Sequence, residues 1–118
     1  MKDFKKEDIV NLTNHEFKEF ISGMTVPVSG LGVARVECKK EIIHRNPLGF
    51  NISKTVYGKI VGLDVDNIDP EKLYIVSAVV LNAIQDKGLH FDNVVAPAET
   101  IRDDDGNVVG AKGFRVNG

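Results

Sequence analysis

The sequence has one cysteine, a small net charge and no long apolar run. Each of these shortages argues against a class of proteins. Its single cysteine, Cys38, cannot form an internal disulfide, and no Cys/His cluster has zinc spacing. A net charge of −2 argues against a domain that binds long nucleic acid through many phosphate contacts, although local basic patches stay possible. No apolar run reaches the roughly 18 residues of a membrane span, and the charged start "MKDFKKEDIV" lacks a signal core. We therefore expect a cytoplasmic protein without a membrane partner.

Motifs for cofactor, metal or phosphate chemistry are equally scarce. The glycines of "GNVVGAKGF" lie in a predicted hairpin and form no dinucleotide fingerprint, and no lysine-bearing P-loop is present. No acid pair has helical metal spacing, and "DVDNID" lacks the Gly and the terminal Glu of a calcium loop. We expect no cofactor, no metal site and no catalytic residue, so an enzyme is the less favoured interpretation.

What is present fits a single folded domain. A chain of 118 residues, 42% of them apolar, removes roughly two-thirds of its unfolded surface from water on folding. We predict one domain over 1–118, with 1–8 as a frayed or short helical lead-in. Strands are predicted at "DIVNL", "GLGVARVECK", where Cys38 is expected half-buried, and "SKTVYGKIVGL", where a glycine marks a bulge or a close approach. "HEFKEFISG" is ambiguous between helix and strand, and "EIIHRNPLGFN" is predicted as a loop or an irregular hairpin tip.

The clearest unit is a strand, a short helix and a second strand. "LYIVS" and "DNVVAP" are typical of buried strands, and "SAVVLNAIQDKG" between them has apolar residues at helical spacing. Ser77 can cap the helix and Gly88 can end it. This order predicts a right-handed parallel crossover. The tail predicts a C-terminal hairpin, with Asp105-Gly106 in a tight primed turn. The fold class is α/β (α+β), with a mixed β-sheet.

Polar residues follow the ends of the predicted strands. "IVN" runs into Asn11, Thr13 and His15, "YIV" into Ser77, and "NVVA" into Pro97. If these strands are parallel, their carboxyl ends share one edge, where ligands of open sheets bind. The alternatives are local: turn chemistry for Asn11 and Thr13, an ordinary N-cap for Ser77, and an exposed or core histidine for His15.

Two arginines complete the predicted ligand-binding residues. Arg45 lies with His44 in "HRNPLGF", which we interpret as a mobile lid over a base or ribose. Arg102 precedes three aspartates, residues 103–105, and either pairs with them across the hairpin or holds a phosphate.

The order of these segments resembles a family of small proteins encoded by bacteriophages and prophages. The matching pieces are "IVNLTNH", "GVARV", "YGKIVGL", "YIVSAVV", "NVVAP" and "RDDDGNVVGAKGF", which cover most of the chain from Ile9 to Phe114. Asn14 departs from the family pattern, which has proline there. The resemblance implies a small protein expressed in an infected bacterium, and by analogy a protein that counters host defence.

Three functions are compatible with these observations. The first is a sponge, a homo-oligomer that binds and sequesters a nucleotide-derived immune signal such as a cyclic ADP-ribose derivative or a cyclic oligonucleotide. The second is a small phosphodiesterase- or glycosidase-like enzyme in which His15 acts as general acid or base. The third is a phage accessory protein that binds a host protein through an exposed hairpin strand.

Overall fold

The structure, a computed structural model, describes residues 2–117; Met1 and Gly118, the ends of the predicted domain, lie outside them. The chain begins with a short 3₁₀ helix at Lys6–Asp8, in the predicted lead-in. Eight strands and one α-helix follow: β1 (Ile9–Asn11), β2 (Phe17–Glu19), β3 (Thr25–Val26), β4 (Arg35–Arg45), β5 (Asn51–Val61), β6 (Leu73–Ile75), α1 (Ala78–Asp86), β7 (Val94–Arg102) and β8 (Val108–Arg115). The predicted α+β class with a mixed sheet is confirmed.

Six strands form one mixed sheet in the order β1-β6-β7-β8-β2-β3. β1, β6 and β7 are parallel to one another, as the crossover prediction requires. β8 is antiparallel to β7 and parallel to β2, and β3 closes the row antiparallel to β2. The ambiguous segment "HEFKEFISG" therefore contributes a strand, and the carboxyl ends of β1 and β6 do share one edge.

The two outer strands of this sheet bend toward each other. The backbone N–H of Ser29, just after β3, donates to the carbonyl of Asn11 in β1 at 3.0 Å. The Asn11 side-chain amide donates to the carbonyl of Val26 in β3 at 3.3 Å. A six-stranded sheet with twisted strands thus comes close to closing on itself, and Asn11 lies at the seam.

Helix α1 packs on one face of the sheet and forms the main core there. Ser77 caps it by accepting a hydrogen bond from the Val80 N–H, and Gly88, with φ of 76°, follows its last turn. The buried residues of the helix are Val80, Leu81, Ala83 and Ile84. They pack against Val10 of β1, Val94 of β7 and Val76, which follows β6 directly. The predicted start and end of this helix are both confirmed.

Strands β4 and β5 form a separate two-stranded ribbon, called here the arm (residues 35–61). Only its base joins the core, through Val36, Tyr57 and Ile60, which pack with the helix. An 11-residue strand is roughly 36 Å long, so most of the arm projects away from the body. A radius of gyration of 16.4 Å exceeds the roughly 13.5 Å expected of a compact chain of this length.

The arm decides between two alternatives and corrects two predictions. Segment "EIIHRNPLGFN" is the irregular hairpin tip: "EIIHR" ends β4 with a register shift between Ile42 and His44, and the reversal is confined to 46–50. His44 and Arg45 therefore lie on a paired strand and not on a mobile loop. Cys38 is exposed and not half-buried, because it lies where the arm has left the core. Gly58 does mark a bulge, since the β4–β5 register shifts opposite it.

The C-terminal hairpin is confirmed, but its details differ from the prediction. Among the described residues no non-glycine has positive φ, so Asp105 does not form a primed turn. The Gly106 N–H instead donates to the Asp103 carbonyl and Gly106 alone takes positive φ, as in a type I turn followed by a bulge. β7 also continues past Pro97 to Arg102, because β8 pairs with it beyond the end of β6.

Candidate functional site

The polar edge predicted from "IVNLTNH" exists, and hydrogen bonds within the chain occupy its centre. Asn11 is fully buried, and its amide donates to the carbonyls of His15 and Val26 at 3.0 and 3.3 Å. Its Oδ1 accepts from the Thr13 N–H at 3.0 Å and lies 2.6 Å from Thr13 Oγ1. An Asn that folds the following backbone in this way forms an Asx turn. Asn11 therefore holds the turn and the sheet seam together.

Thr13 and His15 lie on the outside of the same turn. Thr13 Oγ1 lies 2.9 Å from the His15 carbonyl oxygen and 2.6 Å from Asn11 Oδ1. The hydroxyl proton of Thr13 therefore has two acceptors within the turn. The His15 side chain is exposed. The structure thus brings Asn11, Thr13 and His15 together. The side chains of Asn11 and Thr13 are hydrogen-bonded to each other.

Ser77 stands near this edge, one residue after Val76 of the neighbouring strand. Its hydroxyl accepts from the Val80 N–H at 3.3 Å, which occupies one of the donors that a helix start offers to an anion. Ser77 itself is exposed. Its observed contact is that of an ordinary N-cap.

The two predicted arginines lie elsewhere. Arg45 is exposed at the far end of the arm, paired in register with Asn51. The Arg102 guanidinium donates to the Gly106 carbonyl at 2.7 Å. Arg102 thus stays in its own hairpin, as the local alternative predicted, but its hydrogen-bond partner is a backbone carbonyl and not an aspartate. The six predicted residues do not form one site.

Glu19 is a buried acid that the sequence analysis did not single out. It is 6% exposed, and its carboxylate accepts from the backbone N–H groups of Ile21, Ser22 and Gly113 at 2.6–3.0 Å. Hydrogen bonds from Ser22 and then from Gly113 lower the pKa of Glu19 to about 2. The ionised carboxylate therefore connects the turn after β2 to β8. No short motif signals it, because the Gly113 contact is 94 residues away.

A second polar group involves His90. Its two ring nitrogens lie 2.9 Å from an Asp92 carboxylate oxygen and 2.8 Å from the side-chain oxygen of Asn117. The hydrogen bond to Asp92, and then the one to Asn117, raise the pKa of His90, because both acceptors favour the doubly protonated ring. Asn117 is buried and also donates to the Leu89 carbonyl. This group fastens the C-terminal end of the chain to the loop before β7.

A broad concavity lies where the arm joins the body. Its volume is about 860 Å³, and it is lined by Lys59, Ile60, Val61, Gly62, Leu63, Asp64, Val65, Asp66 and Lys87. Ile60 and Leu63 are buried core residues, so its inner wall is apolar, while two lysines and two aspartates supply charge. Lysine and carboxylate groups on an apolar wall of this size are typical of a small-molecule site.

The local backbone around Gly62 shapes this concavity. Gly62 has φ of 81°, and a Cβ there would lie 2.3 Å from the Val33 carbonyl oxygen. The chain can therefore turn out of β5 only with glycine at this position. On the opposite side, Lys87 at the end of α1 donates to the Gly58 carbonyl at 3.2 Å. The segment "DVDNID", which lacks a calcium-loop pattern, becomes part of this concavity only because it folds against the core.

Charge is unevenly divided between the arm and the rest of the chain. The arm (35–61) has six basic and two acidic residues, a net charge of +4, and the remaining residues have nine basic and fifteen acidic residues, a net charge of −6. The chain's net charge of −2 hides this division. The arm is thus a basic ribbon on an acidic body.

Among residues 2–117 no group of three or more His, Cys, Asp and Glu side chains is arranged to hold a metal ion, and no helix in that range has the length and apolar content to cross a bilayer. Comparison of the chain with protein-family models, curated proteins and solved structures gave no significant match. The chain's own residues are therefore the basis for any functional proposal.

Proposed function

We propose that this protein binds and holds a nucleotide-derived signal, a cyclic ADP-ribose-type molecule or a cyclic oligonucleotide, in the concavity at the base of the arm. The observation that carries this proposal is that Lys59 and Lys87 line one concavity of about 860 Å³ together with an apolar wall. Ligand sites for molecules of nucleotide size occupy roughly 300–1,000 Å³. The resemblance to phage proteins supplies the biological setting, in which removing the signal protects the phage.

Each part of a cyclic nucleotide has a chemical counterpart at this site. Lysine ammonium groups pair with phosphate as point charges. Carboxylate oxygens, such as those of Asp66 on the rim, accept hydrogen bonds from ribose hydroxyls. The exposed side chain of Val61 offers apolar surface to a base. Binding by these groups needs no bond to be broken, which is the chemistry of a sponge.

Two lysine variants and one matched control test the location. Calorimetric titration with a cyclic dinucleotide and with cyclic ADP-ribose should show binding by the unmodified protein. Lys59→Ala and Lys87→Ala should each weaken binding by about tenfold or more, because a charge-assisted hydrogen bond contributes roughly 1.5–3 kcal/mol. Lys112→Ala, which removes an exposed lysine from β8, should leave affinity unchanged. Equal losses in all three variants would mean that general charge, and not this site, attracts the ligand.

The residues at the polar edge provide the competing location. Thr13→Ala, His15→Ala and Arg102→Ala should bind as the unmodified protein does if the ligand occupies the base of the arm. Loss of binding in Thr13→Ala and His15→Ala alone would place the ligand at the edge beside β1. No binding of either probe by the unmodified protein would overturn the proposal.

Recovery of the ligand separates a sponge from an enzyme. The protein is incubated with the ligand, denatured by heat, and the supernatant is analysed by mass spectrometry. A sponge depletes the free ligand before heating and returns it intact afterwards. A ligand returned with a changed mass would support the phosphodiesterase- or glycosidase-like alternative instead.

A further inference from the structure

The far end of the arm exposes several large apolar side chains. Ile43, Leu48 and Phe50 are 56%, 87% and 51% exposed, and Ile42 and Ile52 beside them are similarly open. Five such residues lie on the last part of one ribbon, called here the arm tip, and a concentration of exposed apolar side chains marks an interaction surface. Both edges of the two-stranded arm also carry unpaired backbone groups. The arm tip is therefore a contact surface that lacks its partner.

The body has an apolar surface of its own. Alternate residues of β6 point to opposite sides, so that Val76 joins the core under the helix while Ile75 faces the other way. On that second face Val26, Ile75 and Val95 are buried, and Ile9, Met24 and Leu73 are only partly covered. Two shallow concavities of about 230 and 430 Å³ meet there, with Ile9 and Met24 in both. The middle of this second face is enclosed by the near closure of the sheet, since Val26, Ile75 and Val95 are 0–4% exposed. Its rim at Ile9, Met24 and Leu73 is accessible through the two concavities, and this rim is called here the open face.

We propose that the arm tip of one copy of this protein docks on the open face of a second copy. The apolar side chains of the arm tip and of the open face form the contact. The charges favour a second copy as the partner, because an arm of net charge +4 is attracted to a body of net charge −6. Only the base of the arm packs with its own core, and none of the ion pairs among residues 2–117 joins the arm to its own body. This assembly does not depend on the ligand proposed above.

Duplex DNA is the other occupant that a basic β-ribbon suggests, since such ribbons fit the major groove. Two observations favour a second copy of the chain instead. Three of the tip residues are isoleucines, at positions 42, 43 and 52, where a DNA-binding ribbon needs phosphate-binding side chains. The acidic body would also be repelled by the phosphates on either side of the bound groove.

Sedimentation velocity on three variants tests the role of the arm tip. The unmodified protein should be an oligomer at about 50 μM, a concentration at which even micromolar contacts are occupied. Leu48→Asp and Phe50→Asp should each raise the dissociation constant at least tenfold with unchanged circular dichroism and melting temperature. Val108→Asp, at a comparably exposed apolar residue of the other hairpin, should leave the oligomer intact. A monomeric unmodified protein, or equal dissociation by all three variants, would overturn the proposal.

Cross-linking tests where the tip docks and keeps the proposal falsifiable if a variant misfolds. In a Cys38→Ser background, Leu48→Cys carries a photoactivated cross-linker, and the labelled chain is mixed with ¹⁵N-labelled protein. Cross-links from the tip to residues 9–29 or 73 of the ¹⁵N chain are expected. Cross-links confined to residues 35–61 of the second chain would mean that arms pair with arms. Tight binding of a 30-base-pair duplex that disperses the oligomer would assign the tip to DNA; each of these two results overturns docking on the open face.

Discussion

The two long hairpins of this protein end in the same kind of turn but occupy different places in the fold. In the arm the Gly49 N–H donates to the Asn46 carbonyl, and in the C-terminal hairpin the Gly106 N–H donates to the Asp103 carbonyl. Both glycines have positive φ. Yet the C-terminal hairpin forms the middle of the six-stranded sheet, while the arm stands outside it.

The difference lies in the residues along the strands. Gly110 and Ala111 of β8 are small and buried, which lets β2 approach closely on one side. In the arm, charged residues such as Lys40 and Glu41 are followed by the exposed isoleucines at 42 and 43, and the strand has no alternating apolar face to pack on the body. Turn chemistry thus sets where a hairpin reverses, and side-chain size along its strands sets whether a sheet can include it.

The largest expected contrast is between the core under the helix and the arm tip. Leu81→Ala should lower the free energy of unfolding by about 2–5 kcal/mol, because the side chain is 1% exposed and leaves a cavity. Ile43→Ala on the arm should change it by roughly 0.5 kcal/mol or less. Urea unfolding of both variants at low protein concentration gives the two values. A large loss in Ile43→Ala would show that the arm tip packs within its own subunit.

Gly110 in the C-terminal hairpin and Gly58 in the arm differ in how closely neighbouring atoms approach them. A Cβ at Gly110 would lie 2.2 Å from the Lys18 carbonyl and 2.6 Å from the Phe20 ring. Gly110→Ala should therefore push β2 away from β8 and lower stability by about 1–3 kcal/mol. At Gly58 in the arm the nearest atoms would be 3.4 Å away, so Gly58→Ala should stay within about 0.5 kcal/mol. Thermal melts measure both, and a reversed order would refute the packing described here.

Asn11 and His15, two residues of the turn after β1, should differ by a smaller amount in their effect on stability. Asn11→Ala removes the acceptor of the Thr13 N–H and a donor to Val26, and should lower stability by about 1–3 kcal/mol because buried groups lose their partners. His15→Ala, at an exposed side chain of the same turn, should be nearly silent. Denaturant curves for both variants test this. A stable Asn11→Ala protein would remove the reason for regarding the turn as structural.

Acid should destabilise the body through Glu19. The folded pKa of Glu19 lies at about 2, below its ordinary value of 4.5. Its contribution to stability is therefore fully present above about pH 4.5 and is lost as the pH falls from there toward 2. Glu19→Gln should be less stable than the unmodified protein at pH 7, with a gap that narrows over this window. Melting temperatures from pH 7 to pH 2.5 test this, and a gap that is constant with pH would contradict it.

The strand-helix-strand unit was predictable because its signals are local. Ser77 before an apolar helical repeat and Gly88 after it mark the two ends within 12 residues. The shared edge of β1 and β6 was predicted only on the condition that β1 lies parallel to β6, and the structure meets that condition. That the polar residues at this edge bond to one another was not predictable, because the partners of Asn11 include Val26, 15 residues away.

The sequence alone determined the elements with local causes: the capped helix, the two hairpin turns with their glycines, and the alternation that makes buried strands. Tertiary structure alone decided which strands share a sheet, which is why Glu19 reaches Gly113 and why Lys59 and Lys87 face one concavity. It also decided that residues 35–61 leave the body and carry their positive charge with them. Local signals act over a few residues through backbone angles and periodicity, whereas these placements depend on side chains that meet only after the chain has folded.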